Sequence, residues 1–155
     1  MKKRTILFAA LLSLVAGMVI AQSDDSKKTV EDSVAAIEQP KTDQVVAYYF
    51  HGERRCETCM KLEAYSQEAI EDSFADRLAD SSLVWRVVNF EADENEHYAE
   101  HYELYSQAVI LSRVRDGKEV RWRNLDKIWE KVGDKEDFLA YIRTETHRFL
   151  DEETD

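Results

Sequence analysis

The chain of 155 residues holds two cysteines, and both lie in the short segment CETC, as Cys56 and Cys59. Cysteines at this spacing can exchange electrons as a dithiol and disulfide, supply half of a metal site, or form a static staple. What surrounds them favours the first. The preceding run VVAYYF (45–50) is continuously apolar, with β-branched and aromatic residues, as in a strand buried on both faces. From 56 onward the spacing changes, and Leu62, Tyr65, Ala69, Ile70 and Phe74 make one apolar helical stripe. The pair therefore stands where a strand hands over to a helix. The first-turn amides of a helix are unpaired and its dipole favours negative charge, so a thiolate at Cys56 has a lowered pKa. Cys59 lies one turn on, within reach to resolve a mixed disulfide.

The charges beside the pair oppose one another. Arg54 and Arg55 precede Cys56 and support its thiolate, whereas Glu57 follows directly and disfavours it. Exposed charges at such distances are worth about 1 kcal/mol each in high dielectric, so the two effects nearly cancel. A thiolate that is not strongly stabilised goes with a disulfide that is hard to reduce, which predicts a reductant or electron carrier rather than a strong oxidant. His51, Glu53 and Glu57 are the nearby groups able to carry a proton.

Other constellations are weaker. His51 with Cys56 and Cys59 could enclose a soft metal ion, so a metal-binding or metallochaperone module is the competing reading. A third reading is an accessory subunit in which the cysteines are inert. His97 and His101 stand at i and i+4 with Glu94 and Glu100 nearby, but Tyr98 rather than Glu follows the first His. Their spacing from CETC also excludes a zinc finger, and a solvated charged helix face explains them better. Four glycines in the whole chain leave no phosphate-cradling loop, and no Ser-His-Asp pattern stands out.

The elements that must position CETC follow from the periodicities. Residues 83–90 (LVWRVVNF) read as a second strand, with Trp85 expected in a central, core position. Residues 95–105 (NEHYAEHYELY) read as a helix with Tyr98, Tyr102 and Tyr105 on its apolar side, capped by the acidic run 91–96 (EADENE). Residues 109–114 and 119–122 are strands joined through Asp116-Gly117, a hairpin signal because that turn needs positive φ. Residues 135–150 form a last helix with Phe138, Leu139, Ile142, Thr146 and Phe149 on one stripe. Trp122 and Trp129 bracket the end of the hairpin, where one is expected to be exposed toward a partner. The order β-α-β-α-β-β-α combines a parallel crossover with an antiparallel hairpin, which predicts an α/β fold with a mixed four-stranded sheet flanked by helices.

With the strand VVAYYF, the CETC motif and this element order, the sequence over about 44–150 resembles the thioredoxin-like superfamily. The stretches YYFHGERRCETCMKLEAYSQEAI and NLDKIWEKVGDKEDFL are similar to a narrower group, the ArsF-type proteins, named as a subunit linked to nitrophenyl compound reduction. The superfamily implies thiol–disulfide exchange through the Cys56–Cys59 pair, which is then the only redox group, with no flavin or nicotinamide. The narrower group implies delivery of electrons beside a membrane or redox partner. Two departures stand out. The loop that usually carries a cis-proline reads Tyr105-Ser106-Gln107-Ala108-Val109, and no proline follows Pro40. A cis bond at another residue costs roughly 3 kcal/mol, so a trans chain is expected there. The position of the buried acid in many thioredoxins is Phe50, which cannot move a proton.

The rest of the chain bears on location. Lys2, Lys3 and Arg4 precede an apolar run that ends in Val19-Ile20-Ala21, the pattern of a signal peptide over 1–21. An uncleaved membrane anchor is the alternative. Residues 22–43 are polar, hold the only proline and read as a linker, with a short helical piece around 30–37; the thioredoxin-like domain is expected over 44–151. A secreted, periplasmic protein follows, working as a monomer with a redox partner protein or a membrane thiol donor. The net charge is −11, and the first 21 residues contain three basic and no acidic side chains, which leaves −14 on the remainder. That balance argues against nucleic acid and against anionic membrane surfaces.

Overall fold

The computed structural model describes residues 42–152. The signal peptide expected over 1–21, the helical piece around 30–37 and nearly all of the linker lie outside the described residues.

Strand β1 (Asp43–His51) is the centre of a four-stranded sheet. Its six consecutive buried residues, 45–50, are explained by its two neighbours and by cover on both faces. Strand β2 (Leu83–Asn89) runs parallel to it, with Val45 opposite Leu83 and His51 opposite Asn89. Strand β3 (Ala108–Arg115) lies antiparallel on its other side, with Phe50 opposite Ala108. Strand β4 (Lys118–Asn124) pairs antiparallel with β3 and completes the order β2-β1-β3-β4. Asp116 and Gly117 have φ of 53° and 75°, the two positive values that a tight hairpin turn of this hand requires. This is the α/β fold with a mixed four-stranded sheet flanked by helices that the element order predicts.

Alternation along β1 sorts the core into two layers. Val45, Ala47 and Tyr49 face helix α1 (Glu57–Ser73) and the C-terminal helix, packing with Leu62, Ile70, Phe138, Ile142 and Phe149. Val46, Tyr48 and Phe50 face the opposite way, against Phe90, Tyr102, Leu104 and Ile110. Phe50 is therefore a core residue of the second layer.

Three local departures from the periodicity have physical causes. Past Phe74 the chain makes a short extra helix, α2 (Ala75–Ala79). The helix expected over 95–105 is much shorter: a 3-10 turn at Asp93–Asn95 leads into α3 (Glu96–His101), and Glu103 at φ 53° ends it. Leu104 then turns into the core, and Tyr105, expected on the buried stripe, is 92% exposed. Trp85 is only half-buried, because β2 is an edge strand rather than a central one. A one-turn helix, α4 (Ile128–Lys131), follows the hairpin, and α5 (Lys135–Asp151) closes the domain. The carbonyl end of α5 is held by arginines of the hairpin: Arg121 donates to the Phe149 carbonyl and to the Glu152 carboxylate at 2.8 Å, and Arg123 donates to Glu152 at 2.7 Å. Cations there suit the negative end of the helix.

Candidate functional site: the Cys56–Cys59 disulfide

The strand ladder of β1 ends at His51, and residues 52–55 carry the chain to Cys56, the N-cap of α1. Cys56 has extended backbone angles (φ −88°, ψ 168°), and its Sγ accepts from the Cys59 amide at 3.1 Å. A sulfur here does what a serine or aspartate oxygen does at other N-caps, satisfying one unpaired first-turn amide. The carbonyl of Cys56 accepts from the Met60 amide at 3.0 Å, so the helix begins without a break. Cys56 and Cys59 form a disulfide, with their Cα atoms 4.9 Å apart.

The two sulfur-bearing residues differ in access. Cys56 is exposed, whereas Cys59 is 4% exposed, sunk into the junction of α1 and β1. An incoming thiolate can therefore reach Cys56 and not Cys59. Next to the pair, Met60 is 52% exposed.

Cys59 is fixed from below by a residue that periodicity alone reads as plain core. The hydroxyl of the fully buried Tyr49 donates to the Cys59 carbonyl at 2.7 Å. Burial, reinforced by the Glu63 carboxylate, pushes the Tyr49 phenol well above its usual range, so it stays protonated and keeps donating. Tyr49→Phe is expected to lower stability by about 1–2 kcal/mol, the cost of losing one buried hydrogen bond. Urea unfolding of the oxidised protein would check it, and an unchanged midpoint would show that the hydroxyl contributes nothing.

Arg55 and Glu57 each have an ionic partner of their own. Arg55 pairs with Glu63, and Glu57 pairs with Lys61 one turn on at 2.9 Å. Lys61 holds the Glu57 carboxyl below the usual carboxylate range, which leaves it ionised rather than poised to carry a proton. Arg54 is exposed. The His51 ring donates from Nδ1 to the Gly52 carbonyl at 2.8 Å and lies beside Tyr49, with ring centroids 6.3 Å apart. Among the described residues, no three His, Cys, Asp or Glu side chains form a group that could hold a metal ion. His97 and His101 are not paired: His97 packs on the Tyr98 ring, and His101 donates to Glu119 at 2.6 Å.

The loop before β3 lacks a cis bond, as do all the described residues. Because Ala108 pairs with Phe50, this loop opens at the same end of the sheet as Cys56. A cleft here is lined by Tyr105, Gln107, Asp126 and Trp129, and the Trp129 indole donates to the Gln107 carbonyl at 3.0 Å. That bond braces the loop without a proline. Trp122, on β4 of the hairpin, lies edge-on to Tyr102. Both tryptophans are partly exposed. Glu91, read as part of a helix cap, instead folds back onto the loop before Cys56, where it accepts from the Glu53 amide at 2.7 Å. No helical period could reveal that contact, which joins two loops far apart in the chain.

No family model matches the chain, and no curated protein matches it. Solved structures do. A poplar thioredoxin h is 18% identical, with a TM-score of 0.40, covering 71% of this chain and 79% of that one. A thioredoxin from Fasciola hepatica is 18% identical with a TM-score of 0.35, covering 58% and 79%. One from Thermus thermophilus is also 18% identical with a TM-score of 0.35, covering 58% and 72%.

Proposed function

We propose that the domain is an extracytoplasmic thiol–disulfide oxidoreductase that works through Cys56 and Cys59. The observation that carries this reading is the asymmetric disulfide at the start of α1, with Cys56 open to solvent and Cys59 buried. In reduction of the domain, a donor thiolate attacks Cys56 Sγ, the Cys56–Cys59 bond breaks, and Cys59 leaves as a thiolate that takes up a proton. A second donor thiol then attacks the mixed disulfide and releases Cys56 as a thiolate. The donor leaves as a disulfide, and two electrons have passed. Run toward a substrate, the Cys56 thiolate attacks the substrate disulfide and Cys59 resolves the mixed species.

With Arg55 and Glu57 each paired elsewhere, neither tips the thiolate balance strongly. The helix start, the Cys59 amide and the solvent-screened charge of the exposed Arg54 remain as its supports, a moderate stabilisation of the kind found in reductants. A reductant outside the cytoplasm needs a supply of electrons, for which a membrane thiol donor is suited. The likeness to the ArsF-type group suggests the other partner, a reductase that receives those electrons and acts on nitrophenyl compounds.

The test is the reduction potential of the pair, by equilibration in thiol buffers with free-thiol counting. A reversible two-electron transition near that of thioredoxin, about −270 mV, is the expected result, and a value above about −150 mV would remove the reductant reading. Thiols that never close to the disulfide but retain copper or zinc would point to a metallochaperone instead.

A further inference from the structure

Gly52 is buried, yet it precedes a run of exposed residues and has no need of positive φ. Its requirement is space. A Cβ placed on it would lie 2.8 Å from the Glu91 carboxyl carbon and 2.8 and 2.9 Å from its two oxygens. The Glu91 carboxylate thus occupies the volume a side chain at 52 would fill, and from there it accepts from the Glu53 amide at 2.7 Å.

Glu91 is itself held in place. Its amide donates to the Asn89 side chain at 3.1 Å, and the Asn95 side chain donates to the Asn89 carbonyl at 2.9 Å. One step earlier the Phe90 amide donates to the His51 carbonyl at 2.9 Å, the last backbone rung between β1 and the end of β2. The Glu91–Glu53 bond adds one further rung, made by a side chain, where the backbones have already separated.

We propose that Glu91, seated on Gly52, is a positioning residue for Cys56: it anchors the 52–55 loop so that the cysteine stays on the helix N-terminus when the disulfide is open. This rests on the redox reading above. In the oxidised form the covalent bond to Cys59 holds Cys56 in place. In the dithiol form only hydrogen bonds do, and between His51 and the N-cap the loop's exposed residues Glu53, Arg54 and Arg55 bury no side chain in either core layer. A loosened loop lets the Cys56 thiolate drift from the first-turn amides, and thiolate stabilisation by a helix end falls off within one turn.

Three variants separate anchoring from charge. Glu91→Ala removes the acceptor. Gly52→Ala evicts the carboxylate but keeps its charge in the protein. Glu91→Gln keeps an oxygen acceptor and removes the charge. In the reduced protein at pH 7, Glu91→Ala and Gly52→Ala should each slow alkylation of Cys56 by iodoacetamide about 3- to 10-fold, the size expected for partial loss of a helix-end interaction. Glu91→Gln should react within about twofold of the parent, and the double variant Gly52→Ala/Glu91→Ala should be no slower than either single one, because both remove the same contact. Equal effects of Glu91→Gln and Glu91→Ala would overturn the proposal in favour of a charge effect, as would parent-like rates throughout or additive losses in the double variant. A second readout needs no redox activity: exchange of the Glu53 amide in the oxidised protein should quicken in Glu91→Ala and Gly52→Ala, and unchanged exchange would also overturn the proposal. Failure of the parent protein to cycle its disulfide would instead sink the oxidoreductase reading, with Glu53 exchange still reporting on the anchor.

Discussion

Cys56→Ser is expected to reduce disulfide exchange by at least about a thousandfold, roughly 4 kcal/mol of transition-state free energy. The reason is access. Attack on a disulfide needs the incoming sulfur in line with the bond, and Cys56 is exposed while Cys59, in the first turn of α1, is only 4% exposed. Removing Cys56 leaves a thiol that substrates cannot approach. Cys59→Ser has a different signature. Cys56 can still attack, but nothing resolves the product, so a mixed disulfide with the substrate accumulates and turnover stops after one event. Turnover with a thiol donor and a disulfide-bonded protein substrate, read beside intact-mass spectra, distinguishes the two. If Cys59→Ser alone lost all attack while Cys56→Ser formed the trapped adduct, the assigned roles would be reversed. Full activity of both variants in a partner complex would leave the cysteines inert and the domain an accessory subunit.

That asymmetry was half legible in the sequence. The apolar run 45–50 and the change of period at 56 place CETC at a strand-to-helix junction, and the N-cap geometry of Cys56 agrees. Asp116-Gly117 identified the hairpin, because only a special backbone conformation makes those two residues worth placing side by side. What periodicity could not supply was contact between segments distant in the chain. The pairing of Arg55 with Glu63 cancels a charge that sequence reasoning assigns to the thiolate. Glu91 reaches back across the end of the sheet to Glu53, although its place in an acidic run suggests only helix capping. Tyr49 looks like any other core aromatic until its hydroxyl is seen against the Cys59 carbonyl. The failure at α3 has a different origin. Three tyrosines at helical spacing suggest one long stripe, but Glu103 in the left-handed region breaks the helix, and Leu104, an apolar residue off that stripe, joins Tyr102 in the second core layer while Tyr105 is left exposed.

Glu119→Ala is expected to cost about 2–4 kcal/mol of stability, the price of leaving two buried hydroxyls without an acceptor. The Glu119 carboxylate on β4 accepts from Tyr102 at 2.5 Å, from His101 at 2.6 Å, and from Ser112 on the neighbouring strand. Ser112 is 1% exposed and Tyr102 4%, so neither hydroxyl can turn to water when the carboxylate is removed. Burial alone would raise the Glu119 pKa, but the donors Ser112, Tyr102 and His101 together more than offset it, and the net shift is downward. A folded pKa below the unfolded one means that this contribution is present in full above the unfolded value, about 4.5, and is lost as pH falls through the folded value. Glu119→Gln keeps one acceptor and cannot ionise. Its deficit against the parent in urea unfolding should therefore be clear at pH 7 and shrink on acidification below about 4.5. A deficit that stays constant with pH, or is absent at pH 7, would show that the ionised carboxylate is not what joins α3 to the hairpin. The same variants should leave the reduction potential unchanged, since Cys56 caps α1 and Cys59 lies in its first turn, whereas Glu119 and Tyr102 belong to the opposite layer of the sheet. They would instead loosen the chain that leaves α3 through Leu104 and Tyr105 into the cleft before β3, at the same end of the sheet as Cys56. A substrate-dependent loss of rate at an unaltered potential would then locate partner recognition in that loop, separately from the chemistry of the two sulfurs.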